Sequence, residues 1–442
     1  MMDLAGKRVL VVGLGVTGRS VARFLSARGA RLVLIDQRAD IAREGLPQDA
    51  ELCLGSEKAP RLEAIDLVIP SPGVPRTDPL LREAVALRIP VLSELELASR
   101  FIEGPIVAIT GTNGKSTVTV MLGEVLKAAG RRPFVGGNLG TPLIDAIGIE
   151  HDVAVVEVSS FQLEWIDCFR PRVAIHLNLS DDHLYRYRDL EEYRQFKARI
   201  FENQHAEDWA IINRDDPHVW QLNGRLTART INFGLTPAAV LPSISFERGE
   251  LVFDDGADQR RVSVASLKLP GRHNIANAMA VMAAALVLGV EPDQIERAFA
   301  EFKGLAHRIE FVGERNGVGF VDDSKGTNVG ATLEALAAVA APIIWIAGGV
   351  DKGGDYSPLR ALLKEKVRRA ILIGDARYKM QMALGDVTEV ELARTLQEAV
   401  ARAGSIAARG DTVLLSPACS SFDQFRNYEE RGRIFKELVR AL

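Results

Sequence analysis

One pattern dominates what this chain can fold into. Short runs of Val, Ile and Leu recur along it, and each ends in a loop rich in Gly, Asp, Ser or Pro that leads toward a helical pattern. That alternation marks βαβ units and largely parallel sheets, so the expected class is α/β, with ligands held outside the carboxyl ends of strands. The first series runs from Val9–Val12 through a glycine turn to a helical Arg19–Arg28, then to Leu32–Ile35 ending at Asp36, and on to Leu67–Ile69. A second opens after Gly104-Pro105 with Ile106–Ile109, includes Val153–Val156 and Val173–Leu177, and closes on the apolar helix Ile275–Leu288. A third starts beyond Gly304 with Ile343–Ile346, Ala370–Ile373 and Thr412–Leu415.

The chain has 442 residues, more than the roughly 250–300 at which single cores stop growing. Three domains are expected: 1–93, 94–304 and 305–442. Lys+Arg 54 against Asp+Glu 58 leaves a net charge of -4, which argues against a basic nucleic-acid footprint. Cys53, Cys168 and Cys419 stand far apart without a CxxC spacing, so no disulfide framework or zinc knuckle is expected and a reducing cytoplasm fits. The most apolar stretch, Ile275–Val290, is shorter than the roughly 20 residues of a membrane span and contains Asn277, so it reads as a buried helix. The N-terminus enters a strand with no basic region or cleavage site, so no export signal is expected.

Gly13-Leu14-Gly15-Val16-Thr17-Gly18 follows a strand, opens a helix and is succeeded by Asp36. In that Rossmann context glycines let backbone N–H groups approach a diphosphate at a helix N-terminus. NAD is only one such diphosphate, and a tight turn without a ligand is the plain alternative. The segment Thr110-Gly111-Thr112-Asn113-Gly114-Lys115-Ser116-Thr117 leads from a strand into a helix. Its backbone N–H groups would cradle phosphates, Lys115 would meet the terminal phosphate, and the Ser116 hydroxyl would ligate Mg²⁺. It departs from the common P-loop at Ile109, where a first glycine would stand.

Glu157 and His183 fall at or just beyond strand ends, where a carboxylate and an imidazole could hold Mg²⁺. Such an acid is often a helix cap, and a lone histidine is often structural. Lys197, in Tyr193–Lys197, and Lys325, in Asp322–Asn328, read in isolation as solvated lysines.

Taken in order, the loop Thr110–Thr117, Glu157-Val158-Ser159-Ser160-Phe161-Gln162, Asp182-His183, Lys197, Gly271–Ala278, His307-Arg308 and Asp323-Ser324-Lys325 resemble the Mur ligase family of peptidoglycan synthesis over nearly the whole chain. Ser71-Pro72-Gly73, Gly137-Asn138-Leu139-Gly140 and Ser416–Phe425, with the Rossmann-like start, resemble the member that adds D-glutamate. The resemblance implies a Rossmann-like N-terminal domain, a central P-loop-type ATPase domain and a Rossmann-like C-terminal domain. It implies an ADP-forming ligase that joins D-glutamate to UDP-N-acetylmuramoyl-L-alanine through an acyl phosphate, in the cytoplasm, as a monomer without nucleic-acid or membrane partners.

Residue by residue, it assigns Val16, Thr17, Gln37, Arg38, Ser71 and Asn138 to the UDP-linked substrate, so the glycine turn serves UDP rather than NAD. It assigns Gly111, Thr112, Asn113, Gly114, Lys115, Ser116, Thr117, Asn274, Asn277, Arg308, Asp323 and Lys325 to ATP. Two Mg²⁺ ions would be held by Ser116, Glu157, His183 and Lys197, the lysine carrying a CO₂-derived carbamate. Lys115, His183 and Lys197 would act in catalysis. Thr327, Lys352, Ser421, Phe422 and Tyr428 would meet D-glutamate. An acid expected at Val350 stands instead at Asp351. A sibling ligase adding another amino acid, an NAD-dependent oxidoreductase and a nucleotide-binding switch remain the alternatives.

Overall fold

The computed structural model describes residues 2–55, 61–182, 186–269, 271–351, 353 and 355–442. His183 and Lys352 lie outside these residues. Three sheets carry the fold. The first holds β1 (Arg8–Val12), β2 (Arg31–Asp36), β3 (Glu51–Leu54) and β4 (Leu67–Pro70), in the order β3-β2-β1-β4 and parallel throughout. The second holds β5 (Ile106–Thr110), β6 (Pro133–Gly137), β7 (Val153–Glu157), β8 (Val173–His176), β9 (Trp209–Asn213), β10 (Arg229–Phe233), β11 (Ser243–Glu247), β12 (Glu250–Asp254) and β13 (Gln259–Ser263). Its order is β13-β12-β11-β10-β9-β8-β5-β7-β6. The third holds β14 (Glu310–Arg315), β15 (Val318–Asp322), β16 (Ile343–Gly348), β17 (Val367–Ile373), β18 (Glu389–Leu392) and β19 (Thr412–Leu415), in the order β14-β15-β19-β16-β17-β18.

Central strands such as Ile106–Thr110 and Val153–Glu157 are buried at every position. A parallel sheet is covered on both faces, which is why these segments read as continuous apolar runs rather than alternating ones. The second and third sheets are mixed. The antiparallel pairs β11–β12, β12–β13 and β14–β15 extend otherwise parallel sheets, in keeping with the largely parallel expectation. Two of these hairpins turn on two residues at positive φ, Arg248-Gly249 and Asn316-Gly317, as the right-handed twist of the flanking strands requires.

Contacts divide the chain into two compact units. One comprises 1–179, 191–266 and 276–301; the other comprises 180–190, 267–275 and 302–442. In the first unit one apolar core runs from Val9, Val11 and Leu34 to Leu95, Ala108, Val156 and Ile212, so the first two sheets share an interior, and a separate cluster around Leu10, Val33 and Val68 covers the other face of the first sheet. The second unit has clusters on both sides of its sheet, one around Trp345 and Leu363 and one around Phe320 and Phe435. The helix Arg272–Val287 has its residues Ala278–Ala285 fully buried, as the apolar pattern predicts. Among the described residues no helix is long and apolar enough to cross a membrane.

Candidate active site

β5 lies at a switch point: the chain crosses to β7 and β6 on one side and to β8 on the other. Open α/β sheets hold ligands outside such a point, because neighbouring loops diverge there and leave a crevice. The loop 111–114 leaves β5 at this place and enters the helix α1 (Lys115–Ala128). Gly114, at φ +84°, is the N-cap, and a Cβ there would stand 2.5 Å from Asn277 Oδ1. At Gly111, φ +152°, a Cβ would stand 3.0 Å from Leu177 Cβ and 3.3 Å from Asn178 N. These two positions are glycine for reasons of conformation and space.

Asn178, just past β8, fixes the loop from the side. Thr112 N donates to Asn178 O (2.9 Å), Asn113 N to Asn178 Oδ1 (2.8 Å), and Asn178 Nδ2 to Asn113 O (3.0 Å). Lys115 Nζ donates to Gly111 O and Thr112 O at 2.9 and 2.8 Å. Ser116 Oγ donates to Glu157 Oε2 at 2.6 Å, and Asn138 Nδ2 to Glu157 Oε1 at 2.7 Å. Thus Lys115, Ser116, Glu157 and Asn138 gather at adjacent strand ends. Ser116 and Glu157 present oxygen donors of the kind hard cations take.

Lys197 lies on the helix α2 (Leu190–Ala198) and is fully buried. Its Nζ donates to Gly111 O (2.8 Å), is 3.5 Å from Thr110 Oγ1 and lies 4.8 Å from the centre of the Tyr193 ring. It is therefore not the solvated lysine its helix pattern suggests in isolation. Beside it, burial together with the Lys197 and Lys115 cations pushes His176 down to about 3, so its imidazole is neutral. Asn178, Tyr193 and His176 are the neighbours that reading from sequence did not single out. A strand-end position was the only signal for Asn178.

At the first sheet the same geometry recurs on β1, flanked by β2 and β4. A Cβ at Gly18 would lie 1.9 Å from Gly13 O, so this glycine permits close packing of helix on strand. The helix begins at Val16, inside the motif and earlier than the expected Arg19. Ser71 Oγ donates to Gly13 O (2.7 Å), and Leu14 N donates to Asp36 Oδ2 (2.7 Å). Although burial raises it, the Asp36 carboxyl is held below its ordinary value by Arg38 and by these backbone N–H groups. Val16, Gln37 and Arg38 are exposed around this end of the sheet, with Thr17 half-buried.

In the second unit Asp323, just past β15, is fully buried. It accepts from Arg308 Nη1 (3.1 Å) and Ser416 Oγ (2.7 Å), and burial pushes its carboxyl up. Lys325 Nζ donates to the Tyr428 hydroxyl (2.7 Å). Asn274 is buried near the start of its helix. Thr327 lines a cavity of about 330 Å³ together with Asp181, Asp182, Asn328, Asp351 and Tyr356. Ser421, Phe422 and Tyr428 are not among the residues lining it. Ser421 is buried, whereas Phe422 is 73% exposed. Asp351 is engaged by Lys379 Nζ (2.6 Å) and the Tyr356 hydroxyl (2.9 Å).

Comparison with known proteins accords with this layout. Three family models match in succession: Mur ligase MurD-like, N-terminal domain, over 7–93; Mur ligase middle domain over 109–285; and Mur ligase, glutamate ligase domain, over 307–419. The UDP-N-acetylmuramoylalanine–D-glutamate ligase of Geotalea uraniireducens is 47% identical over 448 residues, covering 100% of this chain and 99% of its own. That of Geobacter metallireducens is 46% identical over 449 residues, with coverage of 100% and 99%. Among solved structures, a MurF ligase from Thermotoga maritima in complex with ADP aligns with a TM-score of 0.64 at 17% identity, covering 100% of both chains. The UDP-N-acetylmuramate-alanine ligase MurC of the same organism gives 0.62 at 20% identity, covering 98% and 99%. These two share the fold: mixed α/β in three domains. With strands, glycine turns and matched segments in agreement along its whole length, the chain belongs to the Mur ligase family.

Proposed function

We propose that this chain is an ATP-dependent, ADP-forming ligase that joins D-glutamate to UDP-N-acetylmuramoyl-L-alanine in peptidoglycan precursor synthesis. The observation that carries the reading is the meeting of Lys115, Ser116 and Glu157 at the β5 switch point, in a chain that matches D-glutamate ligases from end to end. The cytoplasm, where ATP and nucleotide-linked sugars are made, is the proposed compartment. Residues 1–93 are proposed to hold the UDP moiety through Val16, Thr17, Gln37, Arg38 and Ser71. Residues 94–304 would bind ATP and Asn138's substrate, and 305–442 would supply Arg308, Asp323 and Lys325 toward the nucleotide and the D-glutamate set.

The L-alanine carboxylate attacks the γ-phosphorus of ATP, ADP leaves, and an acyl phosphate forms. The D-glutamate amine then attacks the acyl carbon, loses its proton, and phosphate departs to leave an amide. The difficulty of the first step is that two anions must meet. Lys115, at the N-terminus of α1 with the loop N–H groups, offsets that repulsion by electrostatics and positioning, which dominate phosphoryl transfer. The donor chemistry of Ser116 and Glu157 fits Mg²⁺. With His183 and a carbamate on Lys197 they would hold the metal, which when bound neutralises phosphate charge.

Release of phosphate that requires both UDP-N-acetylmuramoyl-L-alanine and D-glutamate, with the amide identified by mass, tests the reading. L-Alanine and diaminopimelate serve as competing acceptors. If one of these replaced D-glutamate as the better acceptor, a sibling ligase would be indicated. ATP binding without phosphate release would leave only a nucleotide switch.

A further inference from the structure

His176 has no part in the scheme above, yet it lies at its centre. It ends β8, in register with Thr110 of β5 and Ile212 of β9. Residues paired across adjacent strands share a face of the sheet, so His176 stands on the face where Lys197 Nζ approaches Thr110 Oγ1 at 3.5 Å. The Phe201 ring, which follows the Lys197 helix, closes over it with centroids 6.5 Å apart. The histidine is fully buried, and neither Nδ1 nor Nε2 has a hydrogen-bond partner. Among the described residues it is the one histidine with both ring nitrogens buried and unmatched.

A neutral imidazole has one N–H donor and one acceptor nitrogen, and leaving either unmade in a protein interior is costly. The charged groups that face it are the Lys197 and Lys115 ammonium groups. Both are donors only, so neither can accept the imidazole N–H. The acceptors beside Lys197 Nζ, Gly111 O and Thr110 Oγ1, are turned to the lysine, and neither meets the His176 ring. A carbamate on that nitrogen supplies two acceptor oxygens at this place.

We infer that His176 is a positioning residue for a carbamate on Lys197, its ring N–H donating to one carbamate oxygen. The inference rests on the reading of Lys197 given under the proposed function. In the covalent step the lone pair of neutral Nζ forms an N–C bond to CO₂. One C=O π pair moves onto oxygen as the anion, and the displaced Nζ proton passes to water, with no change in oxidation state.

The test uses the full chain equilibrated with ¹³C-bicarbonate and reads the carbamate carbon by NMR in wild type, Lys197→Ala, His176→Phe and His176→Gln. His176→Phe keeps a ring but no nitrogen. It should raise the bicarbonate needed for half-occupancy roughly tenfold or more, the effect of one hydrogen bond to a charged acceptor. His176→Gln retains an N–H and should recover part of that. In wild type labelled with ¹⁵N-histidine, one ring N–H resonance should shift in step with the carbamate signal, which needs no variant to fold. If His176→Phe and wild type titrate alike, or if the carbamate forms while no ring resonance moves, the role of His176 is overturned while the modified lysine stands. If wild type shows no carbamate signal that Lys197→Ala removes, the lysine reading itself fails and His176 with it.

Discussion

Replacing Gly114 by Ala should separate two costs that the structure superimposes at one atom. The first is conformational: φ is +84°, and an L-residue held in the left-handed region costs about 1–2 kcal/mol. The second is spatial: the new Cβ would lie 2.5 Å from Asn277 Oδ1 and 3.2 Å from Leu177 Cδ1. Asn277 is buried, so displacing its amide disturbs polar groups that cannot turn to water, at about 1–3 kcal/mol. Gly130, beyond the other end of the same helix, is the control, with φ +77° and nothing within 4 Å of its ideal Cβ. At about 2–4 °C per kcal/mol, Gly130→Ala should lower the melting temperature by roughly 2–8 °C, and Gly114→Ala by about twice that. Calorimetric melts of both variants, with Asn277→Ala and the double variant, complete a cycle. The coupling between positions 114 and 277 should exceed the roughly 0.5 kcal/mol within which independent sites add. If the double variant is simply additive, or if Gly114→Ala and Gly130→Ala melt alike, the close approach of helix Arg272–Val287 to the phosphate loop is refuted.

Glu157→Gln keeps the shape and the Ser116 contact but removes the charge. The Mg²⁺ concentration for half-maximal phosphate release should rise about 10–100-fold, and an unchanged Mg²⁺ titration would remove Glu157 from the metal site. Lys197→Ala should abolish activity that added formate or acetate partly restores, measured as amide formed; no recovery over a carboxylate titration counts against an anionic role at this position. Burial pushes the Glu94 carboxyl up to about 7 from 4.5, and at about 1.36 kcal/mol per pKa unit the difference is of order 3 kcal/mol. Below pH 4.5 both folded and unfolded chains bind this proton. Between there and about 7 only the folded chain keeps it, so stability falls as pH rises through that window. Glu94→Gln should therefore gain about 3 kcal/mol relative to wild type between pH 4 and pH 8; parallel urea midpoints at the two pH values would contradict this.

What could be read from sequence was what is local. The phosphate loop declares itself because a strand, two obligatory glycines and a helix start lie within ten residues, and each glycine is needed where it stands. The same holds for Asp36 and Glu157, which end strands. His176 and Asn178 were not singled out because their importance arises from register: only when β8 pairs with β5 does the Asn178 amide meet Asn113, and the His176 ring meet the face carrying Lys197. Lys197 looked like a surface lysine because the polar pattern of its helix does not reveal which turn is covered. The hairpin at Asn316-Gly317 is a different kind of omission. Asn-Gly between two short strands is a strong local turn signal, yet it was not singled out.

The first sheet shows why a motif must be read with its neighbours. In a dinucleotide site the acid after the second strand is kept for a ribose hydroxyl. Here the Asp36 carboxylate is already engaged on both oxygens. Oδ2 accepts from Leu14 N within the glycine turn, and Oδ1 accepts from Arg38 N (2.9 Å) and Arg38 Nε (3.1 Å). A carboxylate so used serves as a brace: it ties the turn to the end of β2 and holds an exposed guanidinium beside it. Under the proposed reading the groups left for an anion at this strand end are N–H groups of the turn and a cation, with Asp36 itself engaged rather than held for a ribose. That engagement of Asp36 supports the proposed UDP site over the nicotinamide reading that the glycine spacing invites.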